Sequence, residues 1–260
     1  MFREHQPKEN STQPILEVCV DSVESAIATT HGGADRLELC SNLIIGGTTP
    51  SPALFKEIRN LTNLPIRALI RPRFGDFCYT DYEFAIMKEE VKTFRELGAD
   101  GIVIGILKPD GNLDVSRMKE LIEEVGEMSV TFHRAFDVCR DPYEALEQAK
   151  ALSINTILTS GQKNCCMEGK ELLKHLVQKA SDDIEIMIGS GVNAEVISQL
   201  APYTGAHAFH MSGKKDVESA MLYRNEDVSM GLPVMSEYTI WRTEEEEIRK
   251  ARNCLDSEII

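Results

Sequence analysis

The sequence predicts an α/β protein of the (β/α)8 TIM-barrel class, with a parallel eight-stranded barrel, and three observations predict it. Short apolar runs recur eight times between Ile15 and Phe209, each parted from the next by a segment of helical pattern. The tripeptide Gly-Ala-Asp occurs at 33–35 and again at 98–100, both times between a helix and a strand, as serial βα units leave behind. The length of 260 residues suits one such barrel. The strands are apolar enough to be covered on both faces, as parallel strands are. A doubly wound open sheet is the alternative, because barrel closure leaves no mark in a sequence.

Residues 1–14 are polar and without periodicity, which predicts a flexible lead; 15–260 then form the barrel domain with a C-terminal loop and helix extension. Strand one covers 15–20, and Asp21 or Ser22 caps a helix carrying Val23, Ala26 and Ile27 on one side. Strand two follows at 36–39. A helix over 52–60 precedes a strand at 66–70, and a long helix over 81–97 precedes 101–105. The helix at 114–125 leads to 129–132, and Asp141-Pro142 opens a helix through Ala151 that leads to 156–159. Helices at 168–180 and 193–200 precede strands at 185–188 and 206–209. Beyond Phe209, residues 210–233 read as a long loop that covers the mouth or meets another subunit. Residues 242–254 read as a charged helix with acids first and bases later, matching the helix dipole.

A net charge of -14 argues against nucleic-acid binding through a basic surface. No apolar run reaches bilayer length and no secretory leader is visible, so neither membrane spanning nor secretion is expected. The seven cysteines are unevenly spaced and form no disulfide framework, which points to reduced thiols in a cytosolic setting. The full G-x-G-x-x-G pattern is absent, so no nucleotide cofactor is predicted.

Strand alternation supplies the candidate site. Glu17 and Cys19 share one face of strand one, and Arg36, Glu38 and Cys40 share one face of strand two. Adjacent parallel strands then aim two carboxylates, a guanidinium and two thiols into one volume. Buried cysteines alone read as small hydrophobes, whereas buried charges need partners or a ligand. The strand ends add Arg71 and Arg73 around Pro72, then His133, Arg134 and Asp137, then Ser160, Gly189 and Gly191, and finally His210 and Ser212. Barrel chemistry sits at those ends. Two functions fit. An acid–base enzyme on a small phosphorylated or carboxylated metabolite would use Glu17, Glu38, His133 and Asp137 for proton transfer. Arg36, Arg71, Arg73, Arg134, Ser160, Gly189, Gly191, His210 and Ser212 would hold the anion. Internal salt bridges from Arg71 and Arg73 to Glu17 and Glu38 are the structural alternative. A Cu(I) site would use Cys19 and Cys40 as a soft thiolate pair. A harder ion on His133, His210 and the carboxylates would meet repulsion from the arginines.

The segments Glu17-Val18-Cys19-Val20-Asp21-Ser22, Gly33-Ala34-Asp35-Arg36-Leu37-Glu38-Leu39-Cys40, Gly46-Gly47-Thr48-Thr49-Pro50-Ser51, Ile70-Arg71-Pro72-Arg73 and Thr131-Phe132-His133-Arg134-Ala135-Phe136-Asp137 carry a resemblance. Together with Leu158-Thr159-Ser160-Gly161 and Glu237-Tyr238, they make the chain resemble the CutC family of copper homeostasis proteins. The resemblance implies a cytosolic (β/α)8 barrel, a homo-oligomer, a role in copper tolerance or trafficking, and copper binding at Cys19 and Cys40. At Gly189-Ser190-Gly191 the chain departs from the family, where a further glycine is common.

Overall fold

The computed structural model describes residues 14–230 and 236–257. The expected flexible lead lies outside the described residues except for Pro14. Eight parallel strands pair in chain order and close into a barrel. They are β1 (Ile15–Val20), β2 (Arg36–Leu39), β3 (Ile66–Leu69), β4 (Gly101–Ile104), β5 (Ser129–Phe132), β6 (Thr156–Thr159), β7 (Glu185–Ile188) and β8 (Ala208–Met211). The pairing of β8 with β1 excludes the open sheet. Helices α1 (Val23–His31), α2 (Pro52–Arg59), α3 (Asp81–Glu96), α4 (Val115–Glu124), α5 (Pro142–Ala151), α6 (Lys170–Ala180) and α7 (Ala194–Thr204) connect successive strands. Most begin where a short polar side chain accepts a first-turn N–H, as Ser22, Ser51, Thr80, Asp114, Asp141 and Asn193 do.

The C-terminal region differs from the expected loop and extension. Within the predicted loop, β9 (Lys214–Glu218) pairs antiparallel with β10 (Thr239–Thr243). Its sequence KKDVE is exposed throughout, so no apolar pattern announces it. The last helix, α8 (Glu245–Ser257), lies against α7, α1 and β1 and occupies the place of the eighth barrel helix. Its run of glutamates obscures a buried stripe of Ile248, Ala251 and Leu255. Ile248 seats on α1 where Gly32 leaves room, since a Cβ there would lie 2.6 Å from the Ile248 Cβ.

Alternation sends one set of strand side chains outward to the helices, among them Val18, Leu37, Ile66, Ile102, Phe132 and Ile186, and the main apolar core forms there. The register between neighbours stacks the inward set in layers drawn from alternate strands. Arg36, Gly101, Thr156 and Ala208 form a low layer, with Glu17, Arg67, Thr131 and Met187 above it. Glu38, Val103, Leu158 and His210 come next, and Cys19, Leu69, His133 and Gly189 stand at the C-terminal mouth. Branched aliphatic residues usually fill such an interior. Here much of it is ionisable, so the barrel has to be held by polar pairing as well as by packing.

Candidate functional site

The lower interior is a closed network of charges. Arg36 Nε donates to Glu17 Oε2 at 2.5 Å and its Nη2 to Glu185 Oε2 at 3.0 Å. Arg67 Nη1 donates to Thr131 Oγ1 at 2.7 Å and Thr156 Oγ1 at 3.1 Å, and lies 3.7 Å from Glu17 Oε2. The Thr156 hydroxyl in turn donates to Glu185 Oε2. Burial alone would raise the Glu17 carboxyl, but Arg36, His210 and Arg67 outweigh it and hold Glu17 well below the usual carboxylate range. Arg36, expected as an anion ligand, is thus saturated by two internal acids deep in the barrel.

Above this network three donors converge. Glu17, Glu38 and His210 each bring a ligand atom within 4.8 Å of the others, and they are the metal-competent group of three found among the described residues. His210 Nδ1 sits 2.8 Å from Glu17 Oε1. Burial opposes charge on His210, yet Cys19, Glu38 and Glu17 around it push its pKa well above the ordinary value. At Glu38 burial prevails. Burial raises its carboxyl to about 7 against the pull of His210, and its Oε2 is buried without a hydrogen-bond partner. A half-ionised acid with a free oxygen is suited to proton transfer or to ligation.

The two cysteines border this group without joining it. Cys19 Sγ donates to Met211 O at 3.5 Å and lies beside the His210 ring, whose charge it favours. Cys40 packs with Leu69 and Val103 inside the barrel, and its thiol reaches Val20 O. Burial, together with Cys19, Glu38 and Asp21 nearby, pushes the Cys40 thiol well up.

At the other side of the mouth are Arg71 and His133. Arg71 donates to the carbonyls of Gly46, Gly47 and Gly75, so it binds together the loops that follow β2 and β3. Left-handed backbone at these glycines, φ 86, 84 and 93, lets those carbonyls turn toward it. His133 Nδ1 accepts the Ala135 N–H at 3.1 Å. Burial and the Arg71 charge lower the ring to about 3, and it stays neutral.

The remaining predicted residues are engaged locally. Arg73 pairs with Glu83 and Asp76 and stacks over Tyr79. Asp137 accepts from Thr159 Oγ1, from the N–H and hydroxyl of Ser160, from the Gln162 N–H and from Arg134, which ties the loops after β5 and β6 into one knot. Gly189 spends its N–H on Thr159 O, and the turn through Gly191 packs on Cys165. Ser190 between them carries φ 74, in the left-handed region. Ser212 closes β8 by accepting the Thr243 hydroxyl at its carbonyl.

Arg67 and Glu185, with Thr131 and Thr156, were not singled out from the sequence although they complete the network. The signal was present: Arg67 lies two residues before Leu69 and four before Arg71, on the same face of β3, and Glu185 is related to Gly189 in the same way. Arg67, Thr156 and Glu185 sit at strand beginnings, whereas the predicted residues of those strands follow their ends.

The comparisons agree with this architecture. A model of the CutC family matches residues 14–215. A CutC family protein of Chromobacterium violaceum is 43% identical over 242 residues, covering 93% of this chain and 98% of its own. The human copper homeostasis protein cutC homolog is 40% identical over 236 residues, covering 90% of this chain and 86% of its own. The crystal structure of CutC from Streptococcus agalactiae superposes with a TM-score of 0.74 at 33% identity, covering 77% of this chain and 99% of that one. N-(5'-phosphoribosyl)anthranilate isomerase from Pyrococcus furiosus, at 14% identity and a TM-score of 0.53 over 94% of this chain and all (100%) of its own, shares the barrel fold alone. With most of its length matched by the family model and by relatives of this similarity, the chain belongs to the CutC family.

Proposed function

We propose that this protein is a cytosolic copper-handling protein that takes one Cu(I) at the barrel mouth, with Cys19 and Cys40 as thiolate ligands. The observation that carries it is the placement of two buried thiols on the inward faces of neighbouring strands, close enough for Cys19 to bear on the ionisation of Cys40. Soft thiolates select Cu(I), and the family relatives include one named for copper homeostasis. Charge supports the same choice. A Cu(I) held by two thiolates carries a net negative charge, which the His210 imidazolium beside Cys19 offsets. A divalent ion on Glu17, Glu38 and His210 would instead have to displace the hydrogen bonds of Glu17 and lie beside Arg36 and Arg67.

A second reading, an acid–base lyase or isomerase on a small anionic metabolite, is favoured by the unpartnered Glu38 Oε2 and its pKa of about 7. An anaerobic Cu(I) titration against a competing chelator tests the first. Wild type is expected to bind one Cu(I) per chain and the Cys19→Ala/Cys40→Ala variant to lose it; equal stoichiometry and affinity in both would sink the thiolate site. Glu38→Gln keeps both thiols, so it spares copper binding while removing any proton-transfer activity.

A further inference from the structure

Two buried groups at the mouth lack the partners their chemistry demands. Arg71 is 7% exposed, its guanidinium hydrogen-bonds only to carbonyls, and among the described residues no carboxylate forms an ion pair with it. The neighbouring Tyr79 hydroxyl is pushed up to about 12 by burial, despite the pull of Arg71, and brings no negative charge. A buried cation without a counter-charge is costly to fold around. The second group is His133. Because Nδ1 accepts the Ala135 N–H, the ring proton resides on Nε2, and Nε2 is buried with no acceptor. The two groups share the Phe77 ring, with Arg71 Cζ 5.1 Å from its centroid and the imidazole centroid 4.8 Å away. Gly105, directly after β4, makes the seat for the imidazole, since a Cβ there would come within 2.5 Å of His133 Cε1.

The geometry points to a binding site at the ends of β3 and β5 for a small carboxylate that carries a carbonyl group, with Arg71 facing the carboxylate and His133 Nε2–H donating to the carbonyl oxygen. A carboxylate is a stronger acceptor for guanidinium than the peptide carbonyls that Arg71 now holds, and it supplies the missing charge. Those carbonyls come from glycine-rich loops after β2 and β3, which yield to it as it enters. A neutral imidazole N–H suits a neutral oxygen, and in this role it polarises a carbonyl without itself becoming charged. Inorganic phosphate fits less well, because one neutral donor beside Arg71 leaves its remaining oxygens without partners. The site uses neither thiol and stands independently of copper binding.

The test uses the copper-free full chain with histidine labelled at nitrogen, pyruvate as the probe, and inorganic phosphate at matched ionic strength as the comparison. Pyruvate is expected to produce a saturable shift of the His133 Nε2–H resonance. Arg71→Gln should weaken the binding by about tenfold or more. Arg71→Lys, which keeps the charge and guards against a merely unfolded variant, should retain part of it, with circular dichroism confirming the fold of both. No saturable response to pyruvate, equal binding in Arg71→Gln, or phosphate binding as tightly as pyruvate would each overturn the assignment.

Discussion

His133 ties the stability of this protein to pH with a definite sign. Its ring titrates at about 3 in the fold against an ordinary value of 6.5, so between those values the unfolded chain takes up a proton that the native state refuses. The stabilising contribution is complete above pH 6.5 and is lost as pH falls toward 3. At about 1.4 kcal/mol per pH unit, it amounts to a few kcal/mol. His133→Gln removes this dependence. Urea-unfolding free energies taken from pH 7 down to 4 should fall less steeply in the variant than in wild type, and parallel curves would refute the assignment. At this scale the sequence was informative about residue type and face: Glu17, Glu38, Cys19 and His133 all point inward as alternation requires. It could not say which of them would be neutral, because that depends on burial and on charges brought in from other strands.

Among the elements, the strand and helix order was legible because each carries its own local signal. The capping box of α3 shows how local that signal is. The Thr80 hydroxyl accepts the Glu83 N–H, and the Glu83 side chain accepts the Thr80 N–H while also holding Arg73. Thr80→Ala should cost about 1 kcal/mol in urea unfolding and leave copper binding unchanged. A loss of copper binding would show that α3 shapes the mouth through Arg73. Where local signals are weak, the elements were missed. β9 has no apolar face, and α8 reads as a charged extension until its Ile248, Ala251 and Leu255 stripe is seen against α7 and α1. Its role as the eighth barrel helix is a matter of where β8 leaves the chain.

For the whole molecule, the buried charge network joins strands far apart in sequence and substitutes for part of an apolar barrel interior. Arg36 connects β1, β2 and β7 through Glu17 and Glu185, both of which lose their main cation if it is removed. Arg36→Met should therefore destabilise the fold by about 3–5 kcal/mol, read as a drop in the urea midpoint. Adding Glu17→Gln to that variant should recover part of the loss, because the uncompensated charge goes with it; an additive further loss would mean that Arg36 acts through packing alone. Period-two and helical periodicity are properties of neighbouring residues, so strands, helices and the inward set, including both thiols and both glutamates, were readable along the chain. The pairings were not. His210 meets Glu17 across 193 positions only because β8 returns to β1, and Arg67 reaches Thr131 and Thr156 only because closure brings two neighbouring layers together. Barrel closure, a contact between chain ends, is what turns a row of inward charges into a site.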